Sequence, residues 1–109
     1  MALTAPLSRS VFRKQATSPG LVAIPSSLTS VSTKDTLVFQ IFVNNTAGTA
    51  QTLKVTDAAG VEAISTNVPF PPGPTMVEWE QGVYFVGGVK WQAGASSVLI
   101  GEIVAYVHG

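Results

Sequence analysis

The sequence lacks the residues on which most enzymes depend. It contains no cysteine, which excludes disulfide bonds, thiolate catalysis and cysteine-ligated zinc sites. The single histidine is His108, one residue from the end of the sequence, so a serine or cysteine nucleophile would have no well-placed base. Glu78 and Glu80 would point the same way from a strand, whereas the two carboxylates of a glycosidase flank the scissile bond. We therefore expect no catalytic residues and no enzymatic activity.

The sequence also lacks recognisable sites for ions and cofactors. No loop carries the clustered Asp, Asn and Gly spacing of a calcium site. The glycines between Gly82 and Gly94 alternate with strand-like segments and are not followed by Lys and Ser or Thr, so they do not form a phosphate-binding loop. We expect no metal, no cofactor and no small-molecule ligand.

Long apolar runs are absent as well. None approaches the roughly 20 apolar residues of a membrane span, and residues 1–20 lack the apolar block of a secretory signal. We therefore expect no membrane partner and synthesis in a cytoplasm.

Charged residues are scarce and unevenly distributed. They make up 11% of the chain, against roughly 25% in a typical soluble domain. Residues 1–20 hold Arg9, Arg13 and Lys14 without an acid, and the remainder holds three lysines and all six acids. Three basic residues are too few for a nucleic-acid interface. An arm and a body of opposite sign nevertheless attract each other, within one chain or between copies.

Residues 1–20 are predicted to form an extended N-terminal arm. They follow neither the helical nor the strand period, and prolines and glycine interrupt them. A disordered tail is the alternative, but Val11 and Phe12 beside the basic residues favour docking, because a solvated tail rarely carries phenylalanine. The residues predicted to make the assembly contact are Arg9, Val11, Phe12, Arg13 and Lys14.

Residues 21–109 are predicted to form one β-domain, and its clearest strand is Thr36–Asn44. Period-two alternation places Leu37, Phe39, Ile41 and Val43 on one face of this strand. The opposite face, with Val38, Gln40 and Phe42, is apolar too. The strand is therefore predicted to be covered on both sides or to lie against a partner chain.

The other segments predict short strands separated by turns. A polar connection is expected over residues 26–34, a hairpin over 51–66 around Asp57–Gly60, and a crossing between sheets at the four prolines of residues 69–74. Turns are expected at Gln81-Gly82 and Gly87-Gly88. A final strand is expected from Ser97 to His108, with Gly101 at a bulge or a close backbone approach.

These patterns predict an all-β fold, namely a single antiparallel β-sandwich of the jelly-roll or immunoglobulin-like type. The aromatic residues Trp79, Tyr84 and Trp91 lie close together in sequence. We expect the tryptophans to belong to the core. The alternative is a carbohydrate-binding module that uses all three side chains as a stacking platform.

About half of the chain resembles a known class of proteins. The segment LKVTDAAGVEAIST, the proline-rich crossing, the run Gly82–Trp91 and the closing strand that ends Ile103-Val104-Ala105-Tyr106 resemble small β-sandwich structural proteins of tailed bacteriophages. In those proteins a D-x-x-G hairpin precedes two glycine-bounded strands and a closing strand. The resemblance implies a non-enzymatic virion component, such as a capsid decoration protein or a part of the neck, tail or fibre. Its expected partners are other copies of itself and neighbouring virion proteins.

Overall fold

The computed structural model describes residues 21–95 and 98–107. Over these residues the chain is all-β, without helices, and folds into two antiparallel sheets that pack face to face. The prediction of a β-sandwich is therefore confirmed. The arm residues Arg9, Val11, Phe12, Arg13 and Lys14 lie outside the described part of the chain.

Nine strands are present in the described residues. In chain order they are β1 (Val22–Ala23), β2 (Thr29–Ser32), β3 (Thr36–Asn45), β4 (Gln51–Asp57), β5 (Glu62–Ile64), β6 (Pro69–Phe70), β7 (Gly73–Phe85), β8 (Val89–Ala93) and β9 (Leu99–Val107).

The strand pairing is nested. One sheet has four strands in the order β1-β9-β3-β7, and the other has the order β2-β8-β4-β5, with β6 also paired to β4. The first strand thus pairs with the last, the second with the next to last and the third with β7, while β4 pairs with β5 and β6. The chain forms one long antiparallel hairpin wrapped around a core, which is the jelly-roll arrangement.

The core lies between the two sheets and is built by alternation. Residues at every second position of β8 and β9 point inward and are buried, and β3 and β4 follow the same alternation apart from one irregularity in each. The buried apolar residues are Ile24, Val38, Ile41, Val43, Leu53, Val55, Ile64, Phe70, Phe85, Val89, Trp91, Ala93, Leu99, Ile103 and Ala105.

A β-bulge at Phe39 corrects the predicted faces of β3. The register with β9 steps from Val38↔Ala105 to Gln40↔Val104, so Phe39 is an extra residue in β3. Ile41 and Val43 face the core as predicted, but they share it with Val38 and not with Leu37 or Phe39. The prediction of strict alternation is wrong here because the inserted residue Phe39 shifts the period. The residues of β3 that precede Phe39 therefore point to the opposite side of the sheet from the one predicted.

Two further predictions of local structure are wrong. Residues 26–34 are not only a connection, because they contain β2, an edge strand paired with β8. Gln81-Gly82 is not a turn, because β7 runs without interruption from Gly73 to Phe85. Instead β7 contains a bulge at residues 79–82. Four residues lie between Glu78 and Val83, whereas only Phe39 lies between their partners Gln40 and Val38.

Other local predictions are confirmed. The β4–β5 hairpin closes at Asp57, whose Oδ1 accepts hydrogen bonds from the backbone N–H groups of Ala59 and Val61, both at 2.9 Å. The prolines mark the crossing from β6, in one sheet, to β7, in the other. Gly101 is a close backbone approach: a Cβ there would lie 3.1 Å from the carbonyl oxygen of Phe42.

Asn45, at the end of β3, has a buried side chain whose amide nitrogen and oxygen are both hydrogen-bonded. Its Nδ2 donates to the carbonyl oxygens of Thr49 at 2.9 Å and Phe70 at 3.0 Å, and its Oδ1 accepts from the N–H of Ala47 at 2.9 Å. One amide therefore fixes both the turn after β3 and the position of β6.

Candidate functional site

The outward side of the four-stranded sheet is unusually apolar, and we call it the outer face. β3 contributes its outward residues between Leu37 and Asn44, and β7 and β9 flank it. The outer face comprises Leu37, Phe39, Gln40, Phe42, Asn44, Met76, Glu78, Glu80, Tyr84, Ile100, Glu102, Val104 and Tyr106.

The register aligns these side chains in rows across the three strands. Phe42 pairs with Met76 on one side and Glu102 on the other, while Leu37 pairs with Tyr84 and Tyr106. Met76, Tyr84 and Tyr106 are 49%, 47% and 42% exposed. Between these two rows stands a third, in which Gln40 pairs with Glu78 and Val104, so the apolar side chains are clustered with polar ones among them. Clusters of exposed apolar side chains on a folded domain mark surfaces that contact another molecule.

The bulges on β3 and β7 shape the middle of the outer face. The rings of Phe39 and Tyr106 meet edge to face with their centroids 5.6 Å apart. The backbone of Gly82 packs on Leu37 and Phe39, since a Cβ at Gly82 would lie 2.9 Å from Leu37 Cδ1. Beside Phe39 the two bulges leave a shallow depression of 530 Å³, lined by Phe39, Gln40, Glu78, Trp79 and Glu80.

Three carboxylates stand among the apolar residues of the outer face, those of Glu78, Glu80 and Glu102. None is ion-paired with any residue in 21–95 or 98–107, where the one ion pair joins Lys54 and Glu62, with Nζ and Oε2 3.9 Å apart. The outer face therefore combines apolar surface with unneutralised negative charge, a combination suited to a partner segment that is both apolar and basic.

Asp35 forms hydrogen bonds both to Tyr84, at the edge of the outer face, and to the loop that follows β7. Its Oδ2 accepts a hydrogen bond from the Tyr84 hydroxyl at 3.0 Å, and its Oδ1 accepts one from the N–H of Gly87 at 2.7 Å. Desolvation, the hydrogen bond to Asp35 and the charge of Asp35, in that order, raise the pKa of Tyr84 above its ordinary value. The neutral phenol is thus held in place at the rim of the outer face.

Tyr84 should therefore ionise at higher pH in the folded protein than in the unfolded chain. Because the raised pKa favours the neutral form, its contribution to stability is present below about pH 10 and is lost as pH rises through the folded-state pKa. Ultraviolet titration of tyrosinate in a Tyr106→Phe background, with and without denaturant, measures this. Adding Asp35→Asn should lower the folded-state value without abolishing the shift, since desolvation is the largest cause. A folded-state pKa at or below the unfolded one would contradict this account.

The predicted contact strand is only partly accessible. Gln40 and Phe42 lie on the outer face and are half-buried, so both are available to a partner. Val38 is fully buried in the core, and its assignment to a subunit contact is wrong. The cause is the bulge at Phe39, which turns Val38 inward.

The predicted aromatic platform does not exist in the folded chain. Trp91 is 3% exposed, within the core, on the sheet opposite the one that carries Tyr84. Trp79 is half-buried and packs against the core, and Tyr84 alone is well exposed. The three rings cannot stack together on one ligand, so the expectation that the tryptophans serve the core describes the structure better.

Sequence reasoning missed most of the apolar residues of the outer face. Met76, Ile100, Val104 and Tyr106 were not singled out, because each stands in a segment that also supplies core residues. The signal that finds them is the cross-strand register with β3, which depends on the fold and on the bulge at Phe39.

Two searches of the described residues gave negative results. Within residues 21–95 and 98–107, no group of three or more His, Cys, Asp or Glu side chains is placed to hold a metal ion. In the same part of the chain, no helix has the length and apolar character needed to cross a membrane.

In comparisons with known proteins, no family model, no curated protein and no solved structure matches this chain.

Proposed function

We propose that this protein is a non-enzymatic structural subunit of a virus particle, most simply of a bacteriophage. In this proposal it assembles with copies of itself and with neighbouring particle proteins through its outer face and through residues 1–20. The observation that carries the proposal is the outer face: a concentration of exposed apolar side chains with carboxylates among them, on a domain whose chain also carries a basic arm with no acid.

Energetics support association at the outer face. Complete burial of a fully exposed Phe or Met side chain is worth about 1.5–3 kcal/mol, and Phe42 and Met76, which the fold already covers by about half, would each gain part of that on contact with a partner. Neighbouring rows on the outer face would be buried together by one partner. The low charged fraction of 11% also favours contact, because few strongly hydrated groups must be stripped of water.

Two observations support the assignment to a virus particle. One is the resemblance of Thr52–Tyr106 to structural proteins of tailed bacteriophages. The other is the jelly-roll arrangement, which viral capsid proteins use, although lectins and cupins use it too. In a lysate of infected cells, antibody against the chain should detect it in the density-gradient fraction that contains particles. Detection only among free proteins would contradict the virus assignment and leave self-assembly to be judged by the next experiment.

Deleting residues 1–20 should leave the sandwich folded and weaken self-association by at least about tenfold. The fold should survive because the core of the described part of the chain is built from residues between Ile24 and Ala105, all of which the deletion leaves in place. Sedimentation velocity over a range of concentrations measures association, and circular dichroism with thermal unfolding checks the fold. A full-length chain that stays monomeric at every concentration would overturn the proposal that it assembles with itself.

A matched pair of charge variants distinguishes the effect of the arm on self-association from the effect of net charge. The arm variant carries Arg9→Glu, Arg13→Glu and Lys14→Glu, and the control carries Lys34→Glu, Lys54→Glu and Lys90→Glu. Both have the same net charge, and Lys54 and Lys90 lie on the outward side of the five-stranded sheet. Only the arm variant should lose association; equal losses would show that charge in general, and not the arm, governs assembly.

A further inference from the structure

We infer that the outer face is the docking site for residues 9–14 of the arm of a neighbouring copy. This inference rests on the proposed function and makes it more specific, because it names the surface that the arm recognises. The occupant is the segment Arg9–Lys14, which combines two apolar side chains with three cations and no acid.

Charge complementarity is the first argument. Outside residues 1–20 the chain has three lysines. Lys54 and Lys90 lie in the five-stranded sheet and Lys34 in the connection between β2 and β3. Glu78, Glu80 and Glu102 therefore have no cation on their own face. Arg9, Arg13 and Lys14 supply three, and an Arg or Lys placed over an aromatic ring such as Phe39 gains a cation–π contact as well.

Apolar complementarity is the second argument. In the arm, Val11 and Phe12 lie between basic residues. On the outer face, Phe39, Phe42 and Met76 lie beside the glutamates, so each surface carries apolar side chains next to its charges. An aromatic side chain from a partner buries a large area at a small entropic cost, which is why aromatic anchors dominate interface energetics. The depression beside Phe39 offers concave surface next to Glu78 and Glu80 for such a segment.

The place where the arm leaves the fold is the third argument. The register Val22↔Gly101 places Leu21 opposite Glu102, at the β9 edge of the outer face. Six residues, 15–20, separate Lys14 from Leu21, a reach of about 20 Å when extended. Arms that start at the border of this face are well placed to cross to the same face of an adjacent copy. An arm folded back on its own outer face would instead cover the surface that assembly needs, so the occupant is assigned to the neighbour.

Cysteine cross-linking in the full-length chain tests this directly, since the natural sequence has no cysteine to interfere. Ser10→Cys places a near-isosteric thiol in the arm. Gln40→Cys places one on the outer face, and the control Gln92→Cys places one on the outward side of the five-stranded sheet. Both glutamines are half-buried and lie on inner strands of their sheets, and Gln92 also donates a hydrogen bond to the carbonyl oxygen of Ser26 at 2.9 Å, which its cysteine variant loses.

Mixed samples of Ser10→Cys and Gln40→Cys should form the disulfide-linked heterodimer at least about ten times faster than mixtures of Ser10→Cys and Gln92→Cys. The advantage should shrink near 1 M salt, where the screening length falls to about 3 Å. Circular dichroism and thermal unfolding of each variant establish that the folds compared are intact.

Three results would overturn the inference. Equal rates for Gln40→Cys and Gln92→Cys would exclude preferential docking at the outer face. A double variant, Ser10→Cys with Gln40→Cys, that links within one chain and stays monomeric on dilution would assign the arm to its own face. Association of the full-length chain together with faster linking to Gln92→Cys would move the docking site to the other sheet while leaving the proposed function standing. Absence of any self-association would instead defeat the proposed self-assembly itself.

Discussion

Replacing Gly88 by alanine is expected to destabilise the domain by about 3 kcal/mol or more. Gly88 follows β7 in the short crossing to β8 and has a φ of 136°, in the region that residues with a Cβ rarely adopt. A Cβ there would also collide with the carbonyl oxygen of Ser32 and approach the Cα of Thr33 to 3.1 Å. Both contacts are with backbone, which cannot move aside as a flexible side chain can.

The control for this substitution is Gly48→Ala. Gly48 lies in the turn after β3, has no atom within 4 Å of a Cβ built on it and is not among the glycines with positive φ. Its replacement should change the free energy of unfolding by no more than about 0.5 kcal/mol. Denaturant unfolding at equilibrium measures both variants. A Gly88→Ala protein as stable as Gly48→Ala would show that the β2–β3 connection does not pack on the crossing in the way described.

The second large effect is expected at Asn45. Asn45→Asp should cost about 3 kcal/mol or more at neutral pH, because a carboxylate cannot donate to the carbonyl oxygens of Thr49 and Phe70 and would face both of them while buried. The adjacent Asn44→Asp is the matched control. Asn44 points outward from the same strand and is half-buried, so its change should cost far less.

The pH dependence of Asn45→Asp gives a second readout. Burial beside two carbonyl oxygens disfavours the charged form, so the introduced carboxyl has a higher pKa in the folded state than in the unfolded state. The deficit should therefore be smallest below about pH 4, where the protonated group can donate to one carbonyl, and should grow as pH rises from there to the folded-state pKa. Urea unfolding of both variants at two pH values tests this. Equal stability of Asn44→Asp and Asn45→Asp would contradict the assigned hydrogen bonds.

Sequence reasoning succeeded where structure is decided locally. The β4–β5 hairpin follows from Asp57, whose carboxylate organises the turn, and from Gly60, which closes it. The sheet crossing follows from prolines that lack N–H groups.

It failed where distant strands decide the outcome. The sequence TSVS of β2 has one apolar residue, and its strand conformation comes from pairing with β8. The bulges at Phe39 and at residues 79–82 exist only as a relation between β3 and its neighbours, so neither can be read from one segment. The prediction that Thr36–Asn44 is covered on both sides or lies against a partner chain correctly found apolar residues on both faces of the strand, but it placed Val38 on the wrong side, and contact with a partner stays a prediction.

The nested pairing of the strands has a consequence for how the protein forms. Among the described strands, only β4 and β5 pair as immediate neighbours along the chain, and β9 lies between β1 and β3. Folding dominated by such non-local pairs is slow, on the order of milliseconds to seconds. A chain still being synthesised cannot complete the four-stranded sheet until β9 has left the ribosome. The outer face is therefore complete only after β9 has been made, and a partner that recognises the whole of it can bind only a chain that has reached that stage.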